Sequence, residues 1–164
     1  MRQILRRLAV AALLAPAAAA AAATMIASPA DAAPAKVSEQ ALQDEVNRLT
    51  NVERTKAGCP ALAVNAQLTK ASREHSAWMA QTGTFSHVGA GGSDFVSRAK
   101  AAGHTSPAGE NIGWNYHTAA AVVDGWMSSP GHRANVLNCA SKTVGVGVAY
   151  SANGQPYYTQ NFGF

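Results

Sequence analysis

An α+β domain, with helices packed on a small, mainly antiparallel sheet, is what the order of patterns in this chain predicts. Apolar residues recur at helical spacing in four segments between residues 38 and 129. The period then changes to alternation in "TVGVGVAY", residues 143–150. Asn153-Gly154 marks a hairpin, and "PYYTQNFGF" returns as the last strand. The roughly 130 residues beyond residue 32 suffice for one core, and they contain no internal repeat.

Residues 38–57 carry Leu42, Val46, Leu49 and Val52 on one stripe. Ser38 is placed to cap the start, and Gly58 followed by Pro60 fits the stop. "PALAVN", 60–65, reads as a short connection. A second helix is expected over 66–82, capped by Asn65 and ended by Gly83. Its inward face is Leu68, Ala71, His75, Trp78 and Met79. A third fits 93–102, capped by Ser93 and stopped by Gly103. A fourth fits 118–129, capped by Thr118, with Val122, Val123, Trp126 and Met127 inward. Gly125 inside it costs about 1 kcal/mol relative to alanine, which points to a close neighbour. Ser129-Pro130-Gly131 then starts a short capped segment with proline at the first helical position. In the strand at 143–150, Gly145 and Gly147 leave one face bare, as a helix lying close on it requires.

The start of the chain joins three arginines, a long Leu/Ala-rich run and "ADA" at 30–32. That is the layout of a secretory signal, with cleavage expected after Ala32. Residues 33–37 become a short linker and 38–164 a single secreted domain. A retained transmembrane anchor is the competing reading, because the run is long. The weak hydropathy of its Ala/Pro content favours the signal and no retained anchor. The chain has 13 Lys+Arg and 9 Asp+Glu, of which residues 1–32 hold three arginines and Asp31. The remainder therefore carries ten basic and eight acidic residues, a formal +2 without any basic run. That pattern excludes a nucleic-acid partner. The two cysteines, Cys59 and Cys139, read first as a disulfide in an exported chain. A cysteine nucleophile is the sharper alternative, although neither sits in a recognisable nucleophile motif.

Three polar stretches read as loops after regular elements: "FSHVGAGG" (85–92), "AGENIGWN" (108–115) and "SPGHRANVLN" (129–138). Each offers one titratable group beside glycine: His87, Glu110 and His132. Loops on a rigid scaffold are the usual home of sites. Two imidazoles and a carboxylate can hold a metal or form an acid/base pair with an orienting group. Their spacing matches no local zinc signature. Singly, each also has a plain reading. His132 fits a first-turn residue facing solvent, His87 an exposed loop residue. Glu110 and Asn111 fit acceptors of turn hydrogen bonds. His75 reads as a packed histidine with one nitrogen satisfied, and Asp124 as a solvated helix residue. "GAGG" at 89–92 is no phosphate loop, since no Lys-Ser/Thr follows. No G-x-S-x-G elbow is present.

Taken together, "HSAWMAQTGTFSH" (75–87), "GENIGW" (109–114), "VVDGWMSSPGHRANVLN" (122–138), "GVGVAY" (145–150) and "YTQNFGF" (158–164) resemble the CAP superfamily. This is the group of cysteine-rich secretory, antigen 5 and pathogenesis-related 1 proteins, also called SCP-like, and the likeness is to its compact bacterial type. The resemblance implies a three-layer α-β-α sandwich, with "NIGWNYH" in the sheet or at its edge. It implies a cleft at His87, Glu110 and His132, with Asn111 and Ser129 beside them, and a Cys59–Cys139 disulfide. The family's fourth cleft position is acidic in larger eukaryotic members, and here it is Ser129. A site of this kind implies zinc or another divalent cation on His87 and His132, and a lipid, peptide or cell-wall ligand. The enzymatic alternative is a metal-assisted hydrolase. In it, His132 or His87 positions a water and Glu110 acts as base.

Overall fold

The computed structural model describes residues 36–164; the expected signal, 1–32, and linker residues 33–35 lie outside the described residues. Helix α1 spans Glu39–Lys56, and the Ser38 hydroxyl accepts from the Ala41 amide at 3.1 Å. Its buried stripe is Leu42, Gln43, Val46, Thr50 and Arg54. Val52, expected to face in, is only partly buried. The stripe runs in steps of four because Arg54 has partners inside the protein, described below. Strand β1, Ala63–Val64, lies within the expected connection and pairs with Thr143 and Val144. Helix α2 spans Ala66–Thr82, with Asn65 Oδ1 accepting from the Leu68 amide at 2.9 Å and Gly83 at φ +69° ending it. Helix α3 is Phe95–Ala101, capped by Asp94 rather than Ser93. Asp94 Oδ1 accepts from the Ser97 amide at 2.7 Å, and a carboxylate adds favourable charge at a helix N-terminus that a hydroxyl lacks.

Strand β2 covers Pro107–Trp114, where the sequence reads as a loop. Helix α4 is Ala119–Ser128, capped by Thr118, and α5 is Pro130–Val136. Strands β3, Thr143–Tyr150, and β4, Pro156–Gly163, form the expected hairpin. The sheet order is β1-β3-β4-β2, with β1–β3 parallel and the other pairs antiparallel. Val144, Val146 and Val148 of β3 pack with Leu42 and Val46 of α1 and with Val122, Val123 and Trp126 of α4. Full burial of each such aliphatic side chain contributes roughly 1.5–3 kcal/mol. On the other face, a Cβ at Gly145 or Gly147 would strike the α2 backbone at Leu68–Thr69 or Ser72–Arg73. The Ser72 and Ser76 hydroxyls donate to the Gly145 and Gly147 carbonyls, each at 3.0 Å. The result is a three-layer α-β-α sandwich, with α2 and α3 on one face of the sheet and α1 and α4 on the other. The close neighbour of Gly125 is the Tyr116 ring.

Cys59 and Cys139 form a disulfide, Cα–Cα 4.9 Å, across 80 residues of chain. At the same end of the molecule, Arg54 is fully buried. It donates to the carbonyls of Pro60 (2.9 Å), Val136 (2.8 Å), Asn138 (2.9 Å) and Ser141 (3.1 Å). Val136 closes α5, whose last carbonyls carry partial negative charge. Burial holds the Arg54 pKa below the usual arginine value. At the far side of the sheet, the outer edge of β2 is covered. Asn135 Nδ2 donates to the Glu110 carbonyl at 3.1 Å and Trp126 Nε1 to the Ile112 carbonyl at 2.8 Å. These bonds occupy acceptors that an added strand would need.

Candidate functional site

Alternation along β2 sends Glu110 toward α3 and Asn111 toward the layer of α4 and α5, so one edge strand serves both walls of the site. Glu110 is therefore on a strand and not in a loop. The glycine before it follows from packing, since the Asn135 carboxamide occupies the place of a Gly109 Cβ.

The Glu110 side chain is fully buried, and both of its oxygens are engaged. Oε2 accepts from Arg98 Nη2 at 2.6 Å, and Oε1 lies 2.9 Å from His87 Nδ1. A buried carboxylate without such partners would be strongly disfavoured. The His87 side chain is 54% exposed, so the pair joins a buried carboxylate to an imidazole at the surface. With Nδ1–H donating to the carboxylate, the His87 lone pair sits on Nε2. Arg98 also donates to the His87 carbonyl at 3.1 Å and the Ser93 carbonyl at 2.7 Å. His75, buried on α2 as expected, is 2.9 Å through Nε2 from the Ser86 carbonyl, while its Nδ1 has no partner. Two residues behind the loop thus fix where His87 stands.

The second wall is the start of α5. Asn111 Nδ2 donates to the His132 carbonyl at 3.2 Å and to Gln160 Oε1 at 3.2 Å. Asn135 Nδ2 donates to Asn111 Oδ1 at 2.9 Å. Asn111 is fully buried, so it positions His132 and does not line the opening. Burial first, and the charge of His87 second, hold the His132 pKa below the usual imidazole value. His132 and Ser129 also line a pocket of about 240 Å³ with Phe85, Trp114, Tyr116 and Trp126. Asp124 is exposed on α4, and Ser129 brings no carboxylate in its place.

Among the described residues, no group of three or more His, Cys, Asp or Glu side chains is placed to hold a metal ion. Arg98 occupies one Glu110 oxygen and His87 the other. Sequence reading missed Arg98 and Asn135, because a charged or amide side chain on a short helix reads as solvated. It also gave no role to Phe85 and Trp114, which are 47% and 43% exposed.

The profile of the cysteine-rich secretory protein family matches residues 48–162, and the chain belongs to that CAP family. An extracellular SCP-domain protein of Bacillus anthracis is 31% identical at a TM-score of 0.68, over 76% of this chain and 41% of that one. An outer surface protein of Borrelia burgdorferi shares the fold, with a TM-score of 0.70 at 18% identity, over 79% of this chain and 96% of that one. The Bacillus subtilis protein YlbC, described as an uncharacterized membrane protein, is 37% identical over 73% of this chain and 34% of its own length. The chain spans less than half the length of the curated relatives it matches. Among its own described residues, no helix is long and apolar enough to cross a membrane.

Proposed function

We propose that the chain acts outside the cell, after loss of residues 1–32, as a binding module and not as a hydrolase. The observation that carries this reading is the state of Glu110. Both carboxylate oxygens are committed to side chains of the protein, so Glu110 is not free to act as the base that the metal-assisted hydrolase would ask of it. What faces outward is suited to recognition. His132 and Ser129 give polar groups to a pocket otherwise lined by Phe85, Trp114 and Tyr116, and His87 presents an exposed imidazole. A lipid, peptide or cell-wall fragment with a polar head and an apolar body matches that pairing.

A divalent cation on His87 and His132 is part of the proposal. Glu110 then serves as the hydrogen-bond acceptor behind His87 and not as a ligand. Bound there, the ion supplies positive charge for an anionic or carbonyl oxygen of the ligand. Titration calorimetry of the full chain with zinc chloride tests it. Binding is expected at pH 7.5, lost in His87→Ala and His132→Ala, and weakened below about pH 6 as the imidazoles protonate. Absence of zinc binding at neutral pH removes the metal from the proposal. Hydrolysis of a peptide or ester panel that is abolished by Glu110→Gln would overturn the binding reading itself.

A further inference from the structure

Trp114 stands between two depressions. One is the pocket of His132 and Ser129. The other, of about 430 Å³, shares Trp114 with it but includes none of His87, Glu110, Asn111, Ser129 and His132. That volume is within the ~300–1,000 Å³ range of small-molecule sites. Its polar side chains are Gln81, Thr82, Ser151, Asn153, Gln155 and Tyr157. The Thr82 hydroxyl donates to the Trp78 carbonyl and the Ser151 hydroxyl to Asn153 Oδ1 and the Gln155 carbonyl, so the carboxamides of Gln81 and Gln155 and Asn153 Nδ2 are the groups left to a ligand. No charged side chain lines it.

The tryptophan is held rigidly. It is the last residue of β2 and pairs with Tyr157 of β4. The next residue, Asn115, adopts φ +62°, a left-handed conformation that asparagine tolerates better than most side chains. The Asn115 amide donates to the Pro156 carbonyl at 2.9 Å, fixing that turn. The indole lies 6.1 Å from the Tyr157 ring and 6.3 Å from the Phe85 ring, centroid to centroid. It is nevertheless 43% exposed. A large aromatic surface kept in water by a rigid backbone is preorganised for a partner.

The chemistry of the groove narrows that partner. An aromatic face accepts the C–H face of a saturated ring through dispersion and weak C–H contacts. Carboxamides offer donors and acceptors together, which is what a rim of hydroxyl groups needs. An anionic ligand would call for Lys or Arg, and a purely apolar one would gain nothing from the amides. We propose that Trp114 and the groove of Gln81, Asn153 and Gln155 form a subsite for a neutral oligosaccharide, stacked on the indole. This goes beyond the histidine cleft and does not depend on a metal there.

Calorimetric titration of the full chain tests it. The probes are a neutral N-acetylglucosamine tetramer and a maltohexaose, which share pyranose faces and differ in the N-acetyl group. Binding of at least one is expected in the millimolar range or tighter. Trp114→Ala is expected to raise Kd about tenfold or more, the scale for losing one stacking platform. Gln155→Ala is expected to weaken binding less, and His132→Ala to leave it unchanged. Circular dichroism of each variant confirms that the fold persists, and Gln155→Ala keeps the test valid if Trp114→Ala unfolds. No heat with either sugar, binding indifferent to Trp114 and Gln155, or binding lost in His132→Ala would each overturn the assignment. Failure of zinc binding with sugar binding intact would separate this inference from the proposed cleft.

Discussion

The molecule draws two arginines inward, Arg54 completely and Arg98 with 10% of its side chain still exposed, and it uses them differently. Arg54 spends its guanidinium on four backbone carbonyls and meets no carboxylate among the described residues. Arg98 spends part of its own on a buried glutamate and leaves its Nε without a partner. The first arrangement ties three chain segments together beside a disulfide and is closed to ligands. The second holds a buried carboxyl group between a guanidinium and an exposed imidazole. Burial of a charge is therefore not by itself a mark of function. What distinguishes the two ends is whether a titratable group connects the buried charge to the surface.

The sharpest way to break the comparison is Arg54→Met. The methionine fills the space but removes the donor from the buried bonds to the Val136 and Ser141 carbonyls, and each buried acceptor left unpaired costs about 1–3 kcal/mol. Denaturant unfolding is expected to show a loss of about 4 kcal/mol or more, with zinc binding unaffected in whatever remains folded. Arg98→Met is expected to cost roughly 3 kcal/mol, because Glu110 is left as a poorly compensated buried charge. The double variant Arg98→Met with Glu110→Gln is expected to recover much of that stability. If the single and double variants lose equally, the ion pair is not what supports this end.

The smallest expected effect is a pH dependence. Burial, and then the charge of Arg98, hold the His75 pKa below the usual imidazole value. The unfolded chain therefore takes up a proton at His75 before the folded chain does. Stability is complete above about pH 6.5 and is lost as pH falls from there toward the folded pKa. His132 is shifted in the same direction and adds to the slope. Tm measured from pH 8 to pH 5 is expected to fall less steeply in His75→Gln. An unchanged slope would assign the acid sensitivity to other groups.

Elements set by local signals were legible in the sequence. Ser38, Asn65 and Thr118 cap the helices they were expected to cap, and Asn153-Gly154 turns the hairpin. Ser93 and Asp94 are adjacent and both able to cap, so the choice between them was not readable. Strand β2 was hidden because its glycines mimic a turn, whereas Gly109 answers to Asn135 and Gly113 to Val122. Strand β1 is two residues long and exists only through its pairing with β3. Of the site, His87, Glu110 and His132 were named from sequence as the titratable groups of three glycine-flanked stretches, and all three match motifs of the family they resemble. Arg98 could not be, since nothing local says that an arginine on a seven-residue helix will reach a strand twelve residues on.

Strand β4 holds the centre of the sheet although it is the last element described, with β3 on one side and β2 on the other. Strand β2 has β4 as its sheet partner, and Glu110 sits opposite Asn161. The wall between the two histidines thus has no strand to lean on until residues 156–163 have been made and docked. In order of assembly, the recognition end is the final part of the domain to exist. A chain interrupted a few residues early would keep helices and cysteines while lacking the surface they support.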